Sequence, residues 1–175
     1  MRHLSTVTLL AFVVFAGCTT VPVKDIEVYG EADPKAKFGG YKTYGWLATA
    51  AILNDSYGQW EPPAFDADLE IKYLIDRELR KRKMSETSYQ PDIVVGFVAG
   101  LDLDVLELKL DPQLKLDILE SVPQGGLIVT LADSQTGYVI WAGAAHANIQ
   151  IEPDTKMAKA RLDYAITQMF KEMPK

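Results

Sequence analysis

Hydrophobic and polar positions change period several times along this chain, and each change marks an expected element. Leu4 to Ala16 contains no acidic or basic side chain, yet it is shorter than the roughly 20 residues a helix needs to cross a bilayer. In "KDIEVYG", Ile26 and Val28 alternate with Asp25 and Glu27, the period of a half-buried strand. Asp33-Pro34 and Gly39-Gly40 mark turns. Tyr41 to Leu47 then reads as a second strand, rich in aromatic residues. Tyr44 and Trp46 share one of its faces, which is expected to be buried; an aromatic box for a ligand is the alternative use of that pair. Ala48 to Pro63 holds no steady period, carries Asn54-Asp55, Gly58 and Pro62-Pro63, and reads as a loop.

From Ala64 to Met84 the period becomes helical, with Phe65, Leu69, Ile71, Leu74, Ile75 and Leu79 on one broad face. Asp66 or Asp68 can cap its start. Its end, "RELRKRK", sets Arg77, Arg80, Lys81, Arg82 and Lys83 near the negative pole of the helix. That cluster reads either as a solvated helix end or as a contact for anionic lipid headgroups or an acidic partner. After Pro91, Ile93, Val95, Phe97, Ala99, Leu101, Leu103 and Val105 hold one phase of alternation, and Leu106, Leu108 and Leu110 hold the other. A β-bulge or a turn between two strands would absorb the slip. "GGLIVTLADSQTGYVIWAGAAHANIQI" reads as a hairpin turning near Asp133 to Gly137. Finally, Asp154 or Thr155 caps a helix running to about Glu172, with Ala158, Leu162, Ala165, Ile166, Met169 and Met173 along its apolar stripe and Pro174 beyond it.

Two amphipathic helices need a surface to cover, and the alternating strands supply one. The expected fold is α+β: a mostly antiparallel sheet with two amphipathic helices packed on one face, preceded by a cleaved signal peptide. Composition changes this picture mainly at the N-terminus. Met1, Arg2 and His3 form a charged start, the apolar run follows, and "FAGC" ends it with Ala16, Gly17 and the only cysteine of the chain, Cys18. That order is the secretory pattern, and the small residues before a thiol resemble a bacterial lipobox. The expected cut lies between Gly17 and Cys18, with Cys18 carrying the lipid, palmitate included. The chain then divides into a lipoprotein signal peptide at 1–17, a lipidated tether at 18–24 and a single domain at 25–175. Loss of 17 of the 175 residues leaves 158, and loss of Arg2 moves the formal charge from −6 to −7. Thr19, rather than aspartate, follows the cysteine, so the expected place is the outer membrane, facing the periplasm.

The acidic balance argues against nucleic acid, whose binding rests on clustered positive charge. A lipidated Cys18 leaves no thiol, and His146 is the only histidine of the mature chain; this removes His/Cys zinc sites, cysteine nucleophiles and most redox metals. No G-x-S-x-G, G-x-G-x-x-G or G-x-x-x-x-G-K-[ST] occurs. Asp102 and Asp104 stand at the spacing of a carboxylate pair for acid-base chemistry or a calcium site, but outward carboxylates on a half-buried strand account for them as well. By parity His146 falls with Asn148 and Gln150, opposite to Trp141, Ala145 and Ile149, and is expected in solvent. No enzyme motif and no cofactor follow from these residues.

"FGGYKTYGW", "PDIVVGF", "GGLIVTLADSQTGYVIWAG" and a last helix ending in "MFKEMP" together resemble the bacterial lipoproteins catalogued as domain of unknown function 4136. The third motif, an Asp-x-x-Thr-Gly turn, an apolar arm and Trp-x-Gly, is the most specific of them. The family often has a basic residue between the tryptophan and the glycine, where this chain has Ala142. The resemblance implies a lipid-anchored single domain and brings no assigned activity. Three functions remain in view: a non-enzymatic binding or structural module held to the membrane by its lipid and meeting an envelope protein or peptidoglycan; a periplasmic carrier of an apolar or lipid ligand, for which Leu101 to Leu119 is rich in leucine; and a hydrolase built on acidic residues.

Overall fold

The computed structural model describes residues 21–58, 61–102, 106–110, 117–149 and 154–175. Strand β1 is Glu27–Ala32, β2 Thr43–Asn54, β3 Ser85–Glu86, β4 Ile93–Asp102, β5 Leu106–Leu110, β6 Asp117–Ser121, β7 Gln124–Asp133 and β8 Val139–Asn148; helix α1 is Ala67–Lys81 and α2 Thr155–Glu172. Six strands form one sheet in the order β1-β8-β7-β4-β2-β3, and β5 pairs with β6 in a separate two-stranded sheet. Pairing is antiparallel from β1 through β8 and β7 to β4, then parallel from β4 to β2 and from β2 to β3. The expected α+β fold is therefore present with a mixed sheet. Parallel neighbours cannot be joined by a tight turn, and α1 supplies the crossover from β2 to β4.

Both helices cover the same face of the sheet. Tyr44, Ile93, Val95, Phe97, Leu127, Val129, Leu131, Trp141 and Ala145 meet Ile71, Leu74, Ile75 and Leu79 of α1 and Ile166, Met169 and Phe170 of α2 in one core. Trp141 is 1 % exposed and lies 5.0 Å from Phe170, ring centre to ring centre. The expected burial of the Tyr44 and Trp46 face holds: Tyr44 is fully buried and Trp46 packs against the core. Burial, and then the hydrogen bond to Asp76, push the Tyr44 phenol well above its usual range. Asp66 caps α1 by accepting from the Leu69 amide at 3.0 Å, and Asp154 caps α2 through the Lys156 amide.

Two expectations are corrected. Ala48 to Asn54 is not loop but the second half of β2, paired in parallel with β4. The register shifts between Trp46 and Ala48, and the residues beyond lie mostly exposed on both faces, so no single apolar period runs through them. Leu69 does not face the core; it is 63 % exposed, about 120° round the helix from Ile75 at 100° per residue. Glu78 takes a place on the buried stripe instead, at 6 % exposure. The phase slip near Val105 falls partly on residues 103–105, outside the described residues; on its far side the leucines belong to β5, a different strand in a different sheet.

Candidate functional site

The strands give the molecule two distinct ends. At one, Asn54 pairs with Asp102, Asp102 with Gln124 and Gln124 with Asn148, while Glu27 at the start of β1 pairs with His146. At the other, Thr43 pairs with Ser85, Ile93 with Asp133, and the β7–β8 turn closes. Gly17 and Cys18, the expected cleavage and lipidation residues, lie outside the described residues. The chain just beyond them is held at the first end. Arg161, two turns into α2, donates to both carboxylate oxygens of Asp25 at 2.9 and 2.5 Å, to the Asn148 carbonyl at 2.9 Å and to the Pro22 carbonyl. A planar guanidinium suits such a fork. The Arg161 hydrogen bonds hold the Asp25 carboxyl below its usual range.

The basic residues ending α1 sit at the other end. The chain passes from Lys81 through a tight turn, with Lys83 at φ 65°, directly into β3 beside Thr43. Two of the five residues considered for headgroup contact are turned inward. Arg77 bonds Glu78, Asp163 at 2.6 Å and Thr167 at 2.8 Å, bridging the helices. Arg82 caps the C-terminus of α2, donating to the carbonyls of Phe170, Met173 and Pro174. Lys81 bonds Glu78 at 2.8 Å, and Arg80 pairs with Asp76 at 2.7 Å across one turn. Burial pushes the Glu78 carboxyl up, but the hydrogen bonds from Lys81 and Arg77 outweigh it and hold the group below its ordinary value.

The face of the sheet opposite the helices has no cover among the described residues. Cross-strand register lines up Tyr29, Ala144, Ile128, Val98 and Ala50 in one row, and Glu31, Ala142, Thr130, Gly96 and Ala48 in the next. Tyr29 is 56 % exposed and Ile128 50 %. Between them Ala144, Ala142 and the backbone of β1 floor a shallow open hollow. His146 lies on this face as expected, half-exposed, stacked on Tyr29 at 6.1 Å and 3.6 Å from Glu27. Sequence reasoning missed this surface and Arg161 alike. The alternation in β7 and β8 marks two faces, but only the helix placement says which one stays open.

The remaining candidates resolve differently. Asp102 accepts from Asn54 at 3.0 Å; Asp104 lies outside the described residues. Among the described residues no group of three or more His, Cys, Asp or Glu is placed to hold a metal ion, and no helix is long and apolar enough to cross a membrane. The Asp-x-x-Thr-Gly and Trp-x-Gly motif is architectural. Asp133 accepts from the amides of Gln135 and Thr136 and from the Thr136 hydroxyl, and Gly137 takes φ +73°, closing the turn. Trp141 folds over Gly143, where a Cβ would lie 2.4 Å from the indole Cη2. The indole Nε1 is buried and has no hydrogen-bond partner among the described residues.

Comparison with solved structures finds relatives at low identity. A DUF4136 family protein from Bacteroides thetaiotaomicron shares 11 % identity over 86 % of this chain and 96 % of that one, with a TM-score of 0.54; it shares the fold. The PelC dodecamer from Paraburkholderia phytofirmans matches at 14 % identity over 84 % and 96 % of the two chains, TM-score 0.47. Lipoprotein GNA1162 from Neisseria meningitidis matches at 13 % identity over 74 % and 99 %, TM-score 0.34. No curated protein matches the chain. The family described as "Domain of unknown function (DUF4136)" matches residues 28–175, that is, β1 to the C-terminus, and to that family this protein belongs.

Proposed function

We propose that the protein is a lipid-anchored, non-enzymatic binding module of the cell envelope that presents its open sheet face to another envelope protein. The observation that carries this reading is the asymmetry of the sheet. One face is filled by α1 and α2, while the other leaves Tyr29, Ile128 and the small residues between them to solvent. A flat surface of small and apolar side chains fits a protein face better than a glycan chain, which needs many convergent polar groups; peptidoglycan is the weaker partner here. The N-terminal pattern ending at Cys18 supports the anchor, and Thr19 supports the outer membrane, facing the periplasm, over the inner one. With the tether leaving at the Pro22 end and the strands running away from it, the open face looks along the membrane plane, towards neighbours in the same leaflet.

The test is photo-crosslinking in cells, with a benzophenone amino acid placed at Ile128 on the open face and, separately, at Tyr73, which is exposed on α1. A discrete protein adduct from Ile128 and none from Tyr73 supports the reading. Adducts from Tyr73 alone, or an Ile128 adduct that sediments with the peptidoglycan sacculus, would replace it.

A further inference from the structure

We propose that the outer edge of β2 is a docking strand, which takes an extended, uncharged segment of a different envelope protein into the sheet by backbone pairing. Strand β2 is 12 residues long and pairs with β4 as far as Asn54. On its other side only Thr43 and Tyr44 have a strand partner, in β3. Among the described residues, 61–66 of the returning loop included, none gives a backbone hydrogen bond to the outer side of Ala48 to Asn54. A strand edge of this kind presents a row of N–H and C=O groups, and another extended chain is what pairs them.

The side chains of this stretch lack the devices that keep edges apart, namely charge, proline and short length. The opposite edge strand, β1, has 6 residues and exposes Glu27 and Glu31. Strand β2 holds no charged residue and no proline, and its register shift lies at Trp46 to Ala48, where the free stretch begins. Ala48, Ala50 and Ile52 fall on the open face, and Thr49, Ala51 and Leu53 on the helix side. There α1 starts at the level of Thr49, whose hydroxyl donates to Asp68 in the first turn of the helix. Ile52 and Leu53, one on each face past that level, are at least half exposed. A partner strand with apolar or β-branched residues in both phases covers them through cross-strand contacts, whereas a charge placed opposite finds no counter-ion. A second copy of this chain does not fit. Two β2 edges joined antiparallel about a two-fold axis, the usual closed arrangement, would point their Pro22 ends in opposite directions along the strands. The anchored reading above, on which this exclusion rests, requires both of those ends to meet one leaflet.

The experiment uses the full chain in its own cells, with a short-reach diazirine amino acid at Ile52, at Leu53 and, separately, at Ile128, and with the adducts mapped by mass spectrometry. The expected result is that positions 52 and 53 both attach to one other protein, at residues of that protein within about three positions of each other, as strand pairing requires. In the same cells Ala51→Lys, which places a guarding charge on the edge from the helix side, should lower the yield at position 53 at least about tenfold. Ala51→Val, which keeps the edge apolar, should retain it, and circular dichroism of both variants shows that the fold is kept. Attachment to a second copy, to another segment of the same chain, or to scattered residues of a partner overturns the docking strand. So does an adduct at 52 without one at 53, which belongs to the open face. An Ile128 adduct with none at either β2 site removes the strand and leaves the open-face contact standing, and β2 adducts with none at Ile128 do the reverse.

Discussion

Arg161 and Asp25, 136 positions apart in the chain, meet through two hydrogen bonds at 2.9 and 2.5 Å, and this pair fixes where the N-terminal segment leaves the domain. Arg161→Ala should destabilise the domain by about 1–2 kcal/mol, reduced from the value of a buried charged pair because both groups keep partial contact with water. The Arg161 hydrogen bonds lower the Asp25 pKa in the folded state, so the stabilisation is present above the usual carboxylate value of about 4 and is lost as pH falls through the folded value. Urea melts should therefore separate Asp25→Asn from the parent at pH 7 and bring them together in acid. An unchanged gap across that range would show that the pair is not the source.

Glu78 sits at 6 % exposure beneath Arg77 and Lys81, with Arg77 reaching on to Asp163 and Thr167. Arg77→Ala strips the larger share of its compensation and should cost about 2–3 kcal/mol, below a fully buried pair because Arg77 is partly solvated. A double-mutant cycle with Asp163→Ala should give a coupling of about 1 kcal/mol; simple additivity would mean that the two helices are not linked through this guanidinium.

At Gly143 a methyl group meets the Trp141 ring at 2.4 and 2.7 Å. Because both atoms belong to a rigid, buried ring, Gly143→Ala should cost about 2–3 kcal/mol or more. The combination Trp141→Phe with Gly143→Ala should recover part of that loss. Thermal melting of the three variants decides it, and a neutral Gly143→Ala would mean that the ring has room to shift.

The five basic residues at the end of α1 separate into two kinds. Arg82→Ala removes donors from the last carbonyls of α2 and should lower stability by about 2 kcal/mol. Arg80→Gln with Lys83→Gln should leave the association of the lipidated protein with anionic vesicles unchanged at low and high salt, because their end of the sheet is far from Pro22. A salt-dependent loss of binding in that double variant would restore the headgroup reading.

Cys18→Ser should abolish palmitate labelling and release or stall the precursor, with the folded domain intact by circular dichroism. Labelling that persists in the serine variant would end the anchored reading.

Element existence was largely legible because it depends on local period. The β7–β8 hairpin, its turn at Asp133 to Gly137 and the last helix follow from alternation, turn residues and an Asp cap, each acting within a few positions of the chain. The second half of β2 was not legible, because its partner β4 lies across a crossover and a register shift at Trp46 breaks the alternation. The position of Glu78 on the buried stripe was hidden for a related reason. A carboxylate can be buried only when its cations arrive from the same and neighbouring helices, and those arrive only after packing.

The sequence by itself determined the α+β class, the N-terminal pattern ending at Cys18, and the absence of familiar catalytic motifs, all of which are properties of residue type and spacing. Tertiary structure alone decided which face of the sheet stays open among the described residues, that Arg161 holds Pro22 and Asp25 at the Asn148 end of the sheet, and that Arg77 and Arg82 face inward. These depend on which residues distant in the chain share an end or a face. Local periodicity carries no information about that, because pairing order and helix placement are set by the packing of the whole core.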